Sequence, residues 1–195
     1  FGDDIEADDA DAVVHLSEAT SINPKQPEPF IVLGLAYLQS DQYDKAAQTF
    51  EEGLRHHPKH ADLHFNLGTA YDKLNRFDDV VRAMEAALAL DPHHADAMNY
   101  LGYSYADRGI KLDQALALTR KAVALKPENG YYVDSLAWAY YKTGSLAEAL
   151  TEIKRAVLAT GLPICRQVWL DEPRGKKCYD MRVEPVRGEN GEIVG

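Results

Sequence analysis

Six of the seven histidines pose the first chemical question, because His56, His57, His60 and His64 crowd one short stretch and His93 and His94 form a second. Imidazole nitrogens bind zinc and related ions well, so His57, His60 and His64 could bring three nitrogen donors to a metal. The register argues otherwise. His60 and His94 stand 34 residues apart, and Asn129 follows 35 residues later. Residues that recur in this way read as turn residues, and no metal site is assigned. Cys165 and Cys178 have twelve residues between them and make no Cys-x-x-Cys pair, so zinc and redox catalysis are not expected. They read as two free thiols, or as a disulfide if their strands pair. No phosphate-cradling glycine loop, nucleophile elbow or dinucleotide fingerprint occurs. The carboxylates follow helix surfaces, where solvated charge is ordinary. The chain is therefore expected to be no enzyme and to need no cofactor.

The elements that carry these residues repeat. Pro24, Pro58, Pro92 and Pro127 are spaced by 34, 34 and 35 residues. Gly34, Gly68, Gly102 and Ala137 keep the same steps, and Tyr37, Tyr71, Tyr105 and Tyr140 follow each three residues on. Three residues is nearly one helical turn, so each glycine or alanine shares a face with its tyrosine. A small residue there lets the two helices of a hairpin cross with their backbones close, and the tyrosine fills the seam to the next hairpin. Ala46, Ala115 and Ala149 keep the second helix near the first, and each proline stops it. A period of this size means stacked helical hairpins.

This pattern of Leu-Gly, an aromatic three residues on, then Ala, an aromatic, Ala and a closing Pro resembles the tetratricopeptide repeat (TPR) of bacterial proteins. The resemblance implies an all-α, right-handed superhelical TPR solenoid of helical hairpins, here with a short C-terminal β-hairpin segment. The expected organisation is an acidic end at 1–9, the surviving second helix of a partial repeat at 10–26, and repeats at 27–60, 61–94, 95–129 and 130–163. A β-rich tail follows at 164–195. His64 and Met98 depart from the aromatic often found early in the first helix. The third repeat carries one extra residue, placed in the turn Arg108-Gly-Ile-Lys-Leu.

The tail reads as strand Ile164 to Leu170, turn Asp171 to Gly175, strand Tyr179 to Glu184, turn Arg187 to Gly191, and a last strand from Glu192. Tyr179 to Gly195 resembles the last β-hairpin of PAS sensor domains. A cap on the solenoid's last apolar face is the first reading, and a PAS remnant the second.

The net charge is −10, with six carboxylates and no base in the first eleven residues. Nucleic acid wants a basic stripe, so it is not the expected partner. No run approaches the roughly 20 apolar residues of a membrane span.

A solenoid's usual product is a surface, and the TPR resemblance implies that the first helices line a concave groove. Register places Ile31, Leu35 and Leu38 there in the first repeat, and Phe65, Asn66, Thr69 and Lys73 in the second. Asn99, Tyr100 and Tyr103 follow in the third, and Tyr131, Asp134, Trp138 and Tyr141 in the fourth. Tyrosine and tryptophan are common interface anchors. Asn66 and Asn99 could bond the backbone of an extended peptide. Only Lys73 and Lys142 offer bases in this register, opposed by Asp62, Asp72 and Asp107, so a neutral, apolar or basic segment is expected rather than an acidic tail. The expected function is a protein-interaction scaffold. The alternative is a regulatory fragment of a larger signalling protein with a PAS-like domain, and self-association through exposed terminal faces is a third course. The style of the last two repeats leans towards bacterial, often exported, TPR proteins, with the cytoplasm as the alternative location.

Overall fold

The computed structural model describes residues 14–18, 20–160, 164–172 and 175–183. The acidic end, residues 161–163 and residues 184–195 lie outside it, and with them most of the stretch that resembles a PAS hairpin. The chain divides between residues 97 and 98 into two compact units.

The first unit has helical backbone at 14–18 and 20–22. It continues with α1 (Glu28–Gln39), α2 (Tyr43–His56), α3 (Ala61–Lys73) and α4 (Phe77–Leu90). α1 starts behind Pro27, with Pro29 in its first turn, where a missing N–H leaves no helical bond unmade. α2 buries Ala46, Ala47, Thr49, Phe50 and Gly53, an apolar stripe at helical spacing. Its neighbours are α1 on one side and α3 on the other. Phe30, Phe50, Leu63, Leu67 and Ala70 join Ala46 and Ala47 in one cluster, edged by Tyr37 and Tyr71. Each large side chain buried there contributes about 1.5–3 kcal/mol of transfer free energy.

In the second unit α5 (Ala95–Arg108), which starts at the border, is followed by α6 (Leu112–Leu125), α7 (Gly130–Lys142) and α8 (Leu146–Thr160). α6 packs on α7, and α7 on α8. Tyr105, Ala115, Thr119, Ala122, Val133, Ala137, Ala139, Ala156 and Val157 are almost wholly buried.

The glycine ladder acts differently from the expectation of close backbones. A Cβ on Gly34 would fall inside the Phe50 ring, and one on Gly68 would come 2.7 Å from Met84 Cε. Gly102 faces Thr119 Cγ2 at 2.8 Å and, alone of the three, a backbone atom at 3.0 Å, the Ala115 carbonyl. The glycines thus mainly make room for a side chain of the second helix. Where the ladder holds Ala137, the residue in the corresponding place is the buried Ile153.

A further ladder sits in the turns inside each helix pair. Asp41, Asn75, Gly109 and Gly144 have φ of 59°, 58°, 68° and 83°, the left-handed region. The next residue's N–H reaches back to a tyrosine carbonyl each time: Gln42 to Tyr37 (2.8 Å), Arg76 to Tyr71 (2.9 Å), Ile110 to Tyr105 (3.0 Å) and Ser145 to Tyr140 (2.9 Å). This is the Schellman closure, which satisfies carbonyls at a helix end. In three turns one residue then separates the closure from the next helix. In the third there are two, Ile110 and Lys111, and Lys111 takes a left-handed φ of 46°. The extra residue of that period is absorbed in the turn, before α6 begins.

The strands β1 (Ile164–Glu172) and β2 (Gly175–Val183) pair antiparallel, from Ile164 opposite Val183 to Glu172 opposite Gly175. The second strand starts at Gly175 rather than Tyr179, because residues 175–178 find backbone partners in residues 169–172. Cys165 stands opposite Arg182 and Cys178 opposite Trp169. Four rungs at about 3.3 Å each keep the two cysteines beyond the roughly 7 Å Cα limit of a disulfide.

Candidate partner-binding faces

Four of the histidines, His57, His60, His64 and His94, are engaged in the turns between helix pairs. A carbonyl can only accept, so His57 Nε2 donates to the Pro24 carbonyl at 2.9 Å and His64 Nε2 to that of Pro58 at 3.1 Å. A backbone N–H can only donate, so His60 Nδ1 accepts from Leu63 N–H at 3.4 Å and His94 Nδ1 from Ala97 N–H at 3.2 Å. Neutral His94 therefore carries its proton on Nε2, which donates to Asp62 Oδ1 at 3.1 Å. Asn129 does the same capping with its side-chain oxygen, 3.1 Å from Tyr131 N–H. Among the described residues no three His, Cys, Asp or Glu side chains are placed to hold a metal ion.

On the first unit's first helices, Leu35 is 44% exposed, while Ile31 and Leu38 are half-buried. On α3, Phe65 is half-buried with its ring 5.1 Å from that of His94, and Lys73 is exposed. Thr69 donates its hydroxyl proton to the Asn66 carbonyl at 2.7 Å. Asn66 itself is buried.

Behind this face lies a polar chain that sequence reasoning missed. Tyr71 donates to Glu51 Oε1 at 2.7 Å, the Arg76 guanidinium lies over the Tyr71 ring at 4.4 Å, and Arg76 Nε bonds Asp79 at 2.7 Å. Burial first, then the bond to Glu51, push the Tyr71 hydroxyl up to about 12. The 20-residue step from Glu51 to Tyr71 recurs from Arg120 to Tyr140, and that spacing was the available signal.

On the second unit, Asn99, Tyr100 and Tyr103 on α5 are half-buried, as are Asp134, Trp138 and Tyr141 on α7. Asn99 Oδ1 is fully buried and accepts no hydrogen bond. Trp138 and Tyr141 stack with centroids 5.1 Å apart, and Lys142 Nζ sits 5.3 Å from the Trp138 ring. The same Nζ donates to the Asp107 carbonyl at 2.9 Å, tying the end of α7 to the end of α5. Lys142 is therefore engaged within the chain. Tyr131 is 73% exposed. Positions 131, 134, 138 and 141 form one stripe of α7, suited to stacking, apolar contact and hydrogen bonding. The buried Tyr132, Val133, Leu136 and Ala137 occupy its other side.

Antiparallel helix pairs, small residues at the crossings and a shared Schellman turn define the class, and the chain is a tetratricopeptide-repeat protein. The family model described as tetratricopeptide repeat matches residues 37–97. The chain is 30% identical over 148 residues to the TPR repeat-containing protein PA4667 of Pseudomonas aeruginosa, covering 75% of this chain and 25% of that protein. It thus spans about a quarter of the length of the curated relative it matches. Among solved structures it is similar to MamA from Desulfovibrio magneticus, at 24% identity and a TM-score of 0.66 over 76% of this chain and 84% of that one. It is also similar to YrrB, described as a TPR protein with an unusual peptide-binding site, at 20% identity and a TM-score of 0.63 over 80% of each chain. At these identities the structures speak for the fold.

Proposed function

We propose that the chain is a non-enzymatic protein-interaction scaffold, which holds an extended peptide segment of a partner against the first helices of its repeats. The observation that carries this reading is the α7 stripe, where a stacked Trp138–Tyr141 pair is braced by Lys142 and continues to an exposed Tyr131. Rigid aromatics with polar edges give large contact area at small entropic cost, which suits an anchor for another chain. The peptide-binding site named for YrrB is in line with it.

The test is selection of a random dodecapeptide display library on the purified chain, with dissociation constants measured by fluorescence anisotropy. Recovered peptides should bind the Trp138→Ala variant at least about tenfold more weakly, as expected for loss of a central aromatic anchor. Unchanged helical circular dichroism controls for folding. Peptides that bind parent and variant equally, or a library that yields no binder, would sink the reading.

A further inference from the structure

α1 is the most apolar of the first helices. Its run Phe30-Ile-Val-Leu-Gly-Leu-Ala-Tyr-Leu holds no charge and no side-chain amide. The matching run on α3 reads His64-Phe-Asn-Leu-Gly-Thr-Ala-Tyr-Asp, with polar residues where α1 has Val32, Leu35 and Leu38. A helix that is apolar on every side is normally covered on every side. α1 is not. Phe30 and Leu33 are buried, but Val32 is 49% exposed and Leu35 44%, with Ile31 and Leu38 half-buried beside them.

The same places are closed elsewhere in the chain. Asn66 and Ser135, the counterparts of Val32 on α3 and α7, are 9% and 6% exposed. Thr69 and Trp138, the counterparts of Leu35, are half-buried. Within the first unit, α1 itself is the first helix that packs on α3. The open stripe of α1 continues this interface by one repeat, and it is shaped to receive a helix as α3 receives α1.

Size narrows the choice of occupant. α1 has 12 residues, so the stripe is about 18 Å long and about 10 Å wide. That is roughly 200 Å², far below the roughly 800 Å² per partner of a standard stable interface, and it suits one helix better than a second copy of the chain. The first eleven residues carry six carboxylates and make a poor cover, because charge is costly to bury on an apolar face. We propose that α1 is a docking surface for an amphipathic helix of a partner protein. That helix is about three turns long and sets aliphatic residues at i, i+3 or i+4, and i+7 against Val32 and Leu35. The surface belongs to the other unit from the α7 stripe, and it takes a helix where that stripe takes an extended chain.

The test is a display library of helix-forming peptides about four turns long, randomised along one face and selected on the purified full chain. Recovered peptides should carry aliphatic residues at the stated spacing and gain helical circular dichroism on binding. Val32→Lys and Leu35→Lys should each weaken them about tenfold, the scale of one lost aliphatic contact. Both positions are exposed, so the melting temperature should hold. A dodecapeptide that depends on Trp138 should not displace these helices, so either reading can fail while the other stands. No recovered peptide, peptides that bind without becoming helical, displacement by that dodecapeptide, or equal binding to parent and lysine variants would each overturn the proposal. A parent chain that sediments as a dimer, with Leu35→Lys a monomer, would give the face to a second copy and overturn it as well.

Discussion

The two compact units meet the same structural demands with different residues. The cap of a first helix is an imidazole at His60 in the first unit and at His94 on the border, and an amide at Asn129 in the second. The left-handed turn residue is Asp41 or Asn75 in the first and Gly109 or Gly144 in the second. The tyrosine hydroxyl donates to a carboxylate at Glu51 in one and accepts from a guanidinium at Arg120 in the other. At the helix crossings, Gly34 and Gly68 face Phe50 and Met84, whereas Gly102 faces Thr119. The lesson is that the repeat specifies a geometry, an acceptor here and a void there, and several residue types can supply it.

The crossings offer the sharpest way to break this comparison. Gly34→Ala drives a methyl into a fixed, buried ring, and should lower unfolding stability by about 3 kcal/mol. Gly68→Ala meets the flexible end of Met84 and should cost about 1 kcal/mol or less. Urea titration of both variants checks the pair, and equal losses would mean that the facing side chain does not set the cost.

Next come the caps. His94→Ala should cost about 2 kcal/mol, since the side chain is buried, caps α5 and also reaches Asp62. Asn129→Ala should cost about 1 kcal/mol. His94→Asn should recover part of the loss, and its failure to do so would show that the Asp62 contact outweighs the cap.

A smaller effect is expected in the turns. Gly144→Ala puts a Cβ in the left-handed region and should cost about 1 kcal/mol, although nothing lies within 4 Å of the added atom. Asn75→Gly should be close to neutral, because asparagine already tolerates that conformation and glycine adds chain entropy to the unfolded state. Thermal melts distinguish the two.

The least effect belongs to Tyr71. Its hydroxyl is pushed up to about 12, above the ordinary tyrosine value. A group whose folded value is raised contributes stability that is intact below the unfolded value, near about 10, and lost as pH climbs to about 12. The parent should therefore lose stability across that window more steeply than Tyr71→Phe. Parallel slopes in alkaline urea titrations would remove the Glu51 contact from the account.

Much of this fold is legible in the sequence because the residues that punctuate it come from a narrow set of types. Proline stops a helix and recurs at 34 or 35 residues, and glycine leaves a void and recurs at 34 until Ala137 takes the next place. The left-handed ladder was equally periodic, but mixed residue types hid it at Asp41 and Asn75. What fills a void was less legible, since Phe50, Met84 and Thr119 share only a position. The candidate faces could be read as positions on helices, not as accessible atoms. Asn66 shares a helical face with Thr69 and Lys73 yet is buried, and depth on a shared face is not written in the spacing. Lys142 read as a base on offer, yet a carbonyl 35 residues away holds it.

The left-handed Lys111 has a consequence for how such an array can be edited. Its additional residue is taken up after the Schellman closure and before the first turn of α6, so neither helix changes phase. Ala115, Thr119 and Ala122 still face inward, as their counterparts do in the shorter periods. A residue inserted within a helix would rotate everything beyond it and expose the apolar stripe. This hinge between helices is therefore where the chain has slack: short insertions, cleavage sites or reporter loops placed between Gly109 and Leu112 should leave the packing on either side in register.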